Sequence, residues 1–470
     1  MIFKGFFEHL NKSPNSTAFM FYRKKNIIQK TYLDFFTDTN QAVTHLIKSG
    51  VKAGDNVLIL IKPSYNFYVA LSACFCLKCR AVIIDSYKDS NRVKDKLLMA
   101  DVNLILCDKK TRIFLKFLRP LRKRAAVLLN GYEQCKPIEK KHNFKSEDQL
   151  LVTFTSGGTG KSKMVIRTFG ELMQQMDTLT QNFGIFSPFA HVVMMLPIYP
   201  LAGLASGLTN ILYFENMKRA RYVCRLYRLI KSTDADSVVG SVSKYLLLKQ
   251  PINNMKQVFT GGSIIFPNDA QHIKAIFPNA EINYIYGSSE AVIISRTTLD
   301  NYLEELRQNK FGIGKPANGA VVKIHSETGE ILLSGDYVLN SNNGDRNVCI
   351  IDGQTFIRSG DLGYLEDNKL YIRGRIGLSD IESTSPVFNY EIELEIINRY
   401  KLRSRPYFTR VNKSNILVLE REKKEVIKQI AADYPQFDVI KIKKVPLDER
   451  HNYKADYTKL IGMLNEKLRK

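Results

Sequence analysis

The chain has 470 residues, 44% of them hydrophobic and 24% charged, which excludes wholesale disorder and a fibrous repeat. Its 69 Lys and Arg against 46 Asp and Glu leave a net charge of +23, which points either to anionic partners (nucleotides, nucleic acid, acidic lipid) or to a plain Lys-rich composition. The length fits roughly two to four domains.

The first 13 residues are too few and too mixed for a secretory signal. Residues 33–48 read as an amphipathic helix stopped before Gly50. Residues 56–61 read as a strand, 67–77 as a helix, and 81–85 and 102–107 as two more strands. Strand and helix in alternation predict layered α/β subdomains with parallel strands. Cys74, Cys76 and Cys79 cluster around the helix at 67–77, but no fourth ligand is near. They read as small apolar packing residues rather than as a zinc site. An odd number of cysteines without regular spacing fits a reducing cytoplasm.

Residues 112–124 interleave basic and apolar side chains, and Pro120 should break any helix there. The stretch suits either a solvated turn or a peripheral contact with an anionic membrane surface. Residues 192–214 carry no charge and are long enough to span a bilayer, yet they include Pro197, Pro200, Gly203 and Gly207. They read as a buried strand, a loop and a buried helix. In residues 218–231, Val223, Leu226, Tyr227 and Ile230 share one helical face, and Lys218, Arg221, Arg225 and Arg228 lie mostly on the other. Beyond Gly319 the pattern turns to short strands, at 320–325, 330–334 and 355–358. Residues 376–470 read as a small α+β domain, with helices at 390–400 and 423–432 and a strand at 415–419.

The most informative segment runs from Thr153 to Lys163. A strand at 150–154 leads into Thr155, Ser156, Gly157, Gly158, Thr159, Gly160 and Lys161, then Ser162 and Lys163. Glycines let backbone approach an anion, and successive N–H groups, hydroxyls and ammonium groups bind phosphate oxygens. The end of this loop mimics a Walker A motif, but Thr155 stands where that motif needs Gly. Further on come Gly261-Gly262-Ser263, Tyr286-Gly287-Ser288-Ser289-Glu290, Ser359-Gly360-Asp361, Gly374-Arg375 and Asn452-Tyr453-Lys454.

These six motifs, in this order, resemble those of the adenylate-forming superfamily, which includes acyl-CoA synthetases, luciferases and peptide-synthetase adenylation domains. The details look closest to bacterial fatty acyl ligases and olefin β-lactone synthetases. The resemblance implies an N-terminal AMP-binding domain at 1–375 and a small mobile C-terminal lid at 376–470. It implies ATP and Mg²⁺, with CoA or a carrier protein's phosphopantetheine as co-substrate. Residues 155–161 would hold phosphate, and Gly261, Gly262, Ser263, Tyr286 and Gly287 would line the adenine pocket. Ser289 and Glu290 would bind the metal, Asp361 the ribose, and Arg375 the ribose or phosphate. Lys163, Glu290 and Lys454 would be catalytic.

The implied reaction converts a small-molecule carboxylic acid, fatty or aryl, into an acyl-adenylate and then a thioester. Transfer to an acyl carrier protein, β-lactone closure, and a degenerate non-catalytic nucleotide or lipid binder are the other readings. No nucleic-acid recognition motif accompanies the charge. Two departures bear on the fate of the acyl group. Gly377 takes the usual hinge position, and residues 378–386 lack the Lys-Gly pattern that faces the thiol in relatives. Pro200 replaces a His beside the acyl pocket, and its neighbours Leu201, Ala202, Gly203 and Leu204 are small or apolar.

Overall fold

A computed structural model of the chain describes residues 4–84, 86–87, 89–115, 119–121, 124–139, 143–156, 162–182, 190–215, 217, 219–288, 290–339, 348–448 and 453–468. The architecture is mixed α/β, as the alternating pattern predicts. The chain forms two compact units, Met1–Val239 and Gly240–Lys470.

The first unit contains a six-stranded sheet ordered Ala125–Leu128, Leu104–Cys107, Asn56–Leu60, Arg80–Val82, Gln149–Ser156 and Ser162–Thr168. Its strands are parallel except for the last pair. Asn56–Leu60 is buried along its whole length, as a strand covered on both faces must be. The predicted helix at 33–48 runs Tyr32–Lys48. Thr31 starts it with a capping box: its hydroxyl accepts from the Asp34 N–H at 3.0 Å, and Asp34 accepts from the Thr31 N–H at 2.9 Å. Cys74, Cys76 and Cys79 are buried, and burial pushes the Cys74 thiol well up.

Residues 192–214 resolve into strand His191–Met194, helix Tyr199–Ala205 and strand Thr209–Leu212. The sequence reading missed the second strand, because Gly207 and Pro200 masked a run of only four residues. No helix among the described residues is long and apolar enough to cross a membrane. Helix Lys109–Leu115 ends before Pro120, which sits in the short turn Arg119–Leu121. The basic helix runs Ala220–Ser232 and buries Leu226, Leu229 and Ile230. Its Arg225 is partly spent internally: the guanidinium lies over the Tyr22 ring at 4.1 Å and donates to Lys24 O at 2.9 Å.

In the second unit, Gln257–Gly261 and Glu281–Tyr286 pair in parallel, and Ser295–Thr298 follows antiparallel. An antiparallel sheet carries Lys369–Arg375, Gln354–Glu366, Glu330–Gly335 and Ala320–Ile324. The C-terminal stretch is α+β, with strands Tyr407–Val411, Ser414–Glu420 and Asp438–Ile442 and helices Asn389–Tyr400, Lys424–Asp433 and Tyr457–Leu468. Its core is built on Val411, Ile416, Val418, Val445, Leu460 and Leu464.

Candidate active site

Strand Gln149–Ser156 pairs antiparallel with Ser162–Thr168, placing Thr155 opposite Lys163 and Ser156 opposite Ser162. Residues 157–161 connect them, so Gly157, Gly158, Thr159, Gly160 and Lys161 lie outside the described residues, as does Ser289. The Lys163 side chain stands on a strand, beside the connection rather than within it.

The second unit gathers three of the predicted residues into direct contact. Tyr286 ends strand Glu281–Tyr286, and its hydroxyl donates to Asp361 Oδ2 at 2.6 Å. Asp361 lies on strand Gln354–Glu366, directly opposite Arg375 of Lys369–Arg375. Arg375 Nε pairs with Asp361 Oδ1 at 3.1 Å. Burial, and then Asp361, push the Tyr286 hydroxyl far above its ordinary range, so it remains a neutral donor. The Asp361 carboxylate in turn raises Arg375. A carboxylate offers about four lone-pair sites, so these two partners leave Asp361 with capacity for further donors.

The Gly-Gly segment abuts the same strand. Tyr284 donates to Ser263 O at 3.0 Å, and a Cβ on Gly261 would sit 2.2 Å from Ile285 O. Beyond Tyr286 the chain turns back, with Ser288 N–H donating to Ala291 O and Ile294 N–H to Tyr286 O. A Cβ on Gly287 would meet Val292 O at 2.3 Å, so the turn requires glycine there. Glu290 is fixed at its backbone, its N–H donating to Ser288 Oγ at 3.3 Å and its carbonyl accepting from Leu339 N–H at 3.0 Å. Among the described residues no group of three His, Cys, Asp or Glu could hold a metal.

Lys454 lies on a segment pinned to residues 446–448. Its carbonyl accepts from Asp448 N–H at 2.8 Å, and Leu447 bridges Ala455. At the start of the C-terminal stretch, Asn389 Oδ1 accepts from Arg375 N–H at 2.7 Å.

Sequence reasoning missed Asn389 and the buried Arg405–Glu393 pair, whose Nη2–Oε2 distance is 2.7 Å. Arg405 also lies over the Phe266 ring at 4.2 Å and the Tyr407 ring at 4.9 Å. The available signal was Glu393, a charge on the apolar side of helix Asn389–Tyr400 beside Ile392, Leu394 and Ile396.

A family model described as AMP-binding enzyme matches residues 6–341. A 2-succinylbenzoate–CoA ligase of Oceanobacillus iheyensis is 25% identical over 407 residues, covering 81% of this chain and 80% of that protein. The 4-coumarate–CoA ligase 2 of Nicotiana tabacum is 22% identical over 396 residues, covering 74% and 71%. The solved O-succinylbenzoate coenzyme A synthetase of Bacillus subtilis in complex with AMP superposes with a TM-score of 0.78 at 17% identity, over 96% of this chain and 97% of that one. The resemblance read from the ordered motifs is thereby borne out, and the chain belongs to the AMP-binding enzyme family.

Proposed function

We propose that this protein activates a carboxylic acid with ATP, forming an acyl-adenylate and pyrophosphate, and then passes the acyl group to a thiol such as CoA. The observation that carries the reading is the bonded unit of Tyr286, Asp361 and Arg375. It fixes a carboxylate that retains acceptor capacity, the chemistry that recognises a ribose diol.

In the first step a carboxylate oxygen attacks the α-phosphorus and pyrophosphate leaves. Two anions must meet, so the barrier is partly electrostatic. Residues 155–161 and Lys163 would hold the phosphates, Gly261, Gly262, Ser263 and Tyr286 the adenine, and Asp361 and Arg375 the ribose. Lys454 would offset the charge that develops at the reacting oxygens. Mg²⁺ held by Glu290 and Ser289 would neutralise phosphate charge. In the second step the thiol sulfur attacks the acyl carbonyl, and AMP departs with the electron pair of the broken C–O bond. Residues 376–470 would form the lid that carries Lys454. Gly377, at φ +81°, suits a hinge, because side chains rarely tolerate that backbone.

The acid is alkyl or aryl. Helix Tyr199–Ala205 buries Pro200, Leu201, Ala202 and Leu204 and offers no acidic group to an α-ammonium. The relatives named for succinylbenzoate and coumarate act on acids that carry aromatic rings, which supports the same class.

A carrier protein is the second acceptor reading. The segment after Gly377 carries Asp380 and Glu382, both within 3.2 Å of Arg410 Nη1, where relatives have the Lys-Gly pattern. Arg410 offsets much of this charge, and the segment lacks the lysine that the pattern supplies in relatives. ATP–pyrophosphate exchange across a panel of fatty, aryl and amino acids, repeated with CoA and with a carrier protein, tests the reading. Exchange with fatty or aryl acids and thioester formation are expected. No exchange with any acid would overturn it.

A further inference from the structure

One polar contact outside the nucleotide residues ties the Lys454 segment to the helix Pro267–Ile276. The Tyr453 hydroxyl donates to Asp269 Oδ2 at 2.6 Å. Asp269 lies in the first turn of that helix, where the helix dipole favours a negative acceptor. Burial and the adjacent Asp269 push the Tyr453 hydroxyl well up, so it stays protonated and donates. A second contact flanks the first: Asn268 Nδ2 donates to Leu402 O at 3.1 Å.

A cavity of about 220 Å³ is lined by Phe266, Asp269, Arg403, Arg405, Leu447 and Tyr453. The hydrogen bond to Asp269 is directional and so fixes where the phenol hydroxyl sits beside this cavity. Tyr453 is covalently joined to Lys454, whose carbonyl is held by Asp448 N–H, and Asp456 N–H donates to Pro446 O at 2.8 Å. The Lys454 backbone is thus fixed from both sides, by the residue 446–448 staple and by the Tyr453 anchor.

We infer that Tyr453 and Asp269 form a latch that positions the Lys454 backbone for adenylate formation, an inference that rests on the acid-activating role proposed above. Both are positioning residues. The latch belongs to the first half-reaction, because only that step asks Lys454 to meet the attacking carboxylate. Its loss should leave transfer from a supplied acyl-adenylate to the thiol at its full rate.

The test uses the full chain and compares Y453F, D269A, the double variant Y453F/D269A and D269N in pyrophosphate exchange with the best acid. Each single change should lower kcat roughly tenfold with little change in the KM for ATP. The double variant should be no slower than either single one, since one interaction is lost in all three. Asp269→Asn keeps an oxygen that accepts from the phenol and should recover most of the rate. Thioester formation from synthetic acyl-adenylate should be unaffected. A full-rate Y453F, additive losses, or equal loss in both half-reactions would overturn the latch. If the wild-type chain exchanges with no acid, the acid-activating reading fails by itself. Hydrogen exchange at residues 453–456 then still decides the latch: faster exchange in Y453F and D269A supports it, and unchanged exchange refutes it.

Discussion

Asp361 and Arg375 stand directly opposite each other on adjacent antiparallel strands, and their side chains meet at 3.1 Å. Placing a carboxylate and a guanidinium by sheet register fixes both without loop entropy, and Tyr286 adds a third constraint from another strand. Asp361→Ala removes the shared acceptor and leaves Arg375 and the Tyr286 hydroxyl without their common partner. ATP and AMP should bind roughly tenfold to hundredfold more weakly, as expected for lost charge-assisted hydrogen bonds. Calorimetric titration with AMP checks this, and Asp361→Asn, which keeps one oxygen, should fall between.

Gly287→Ala tests the turn that carries Glu290. The added Cβ would lie 2.3 Å from Val292 O, a backbone atom that has no rotamer by which to escape. The turn must therefore open, shifting Glu290 relative to Tyr286. Pyrophosphate exchange should fall about tenfold or more, since misplacement of about 1 Å can cost 10²-fold. Wild-type rates in Gly287→Ala would show that the turn geometry is immaterial.

Much of this was legible in the sequence, for identifiable reasons. The helix at Tyr32–Lys48 is legible in its amphipathic pattern and the Gly50 stop, and the strand at Asn56–Leu60 in its short apolar run. The motif at Tyr286 and the one at Asp361 lie 75 residues apart, and only their order along the chain linked them; their hydrogen bond comes from strand packing that no local pattern encodes. Arg405 was invisible because its partner Glu393 and its stacked rings Phe266 and Tyr407 come from three separate elements. Tyr453 reads in the sequence only as a neighbour of Lys454, since the identity of its acceptor depends on a helix more than 180 residues earlier.

Lys454→Ala separates chemistry from binding. An ammonium aimed at developing charge acts mainly in the transition state, so its removal should cut adenylate formation by roughly 10²–10³. The affinity for ATP and the melting temperature should stay close to wild type, because Lys454 lies in a bend and is only partly buried. An unchanged pyrophosphate-exchange rate would remove Lys454 from the mechanism.

Arg405 is structural, and its replacements should say so. It pairs with the fully buried Glu393 and lies over three rings, those of Phe266, Tyr390 and Tyr407. Burial pushes the Glu393 carboxyl up, and the nearby guanidinium opposes that rise. Arg405→Ala strands a buried acid and should cost about 3–5 kcal/mol in denaturant unfolding. Arg405→Lys keeps the charge but loses the planar stacking and the forked hydrogen bonds, so it should recover less than half of that loss. Full recovery by lysine would mean that charge alone holds the site.

Lys244 offers a pH signature independent of catalysis. It sits in the short helix Val242–Tyr245, and burial lowers its ammonium pKa to about 8. The unfolded chain then binds more protons than the fold between about pH 8 and the ordinary lysine range, so this residue's contribution to stability rises with pH across that window. Below it the penalty for a buried charge is complete, up to roughly 3 kcal/mol. Lys244→Met removes the penalty and should melt a few degrees higher than wild type at pH 7, with the advantage shrinking as pH approaches 10. Melting curves of both proteins at pH 7, 8.5 and 10 provide the comparison. A gap that stays constant over that range would mean that Lys244 is charged and solvated in the fold.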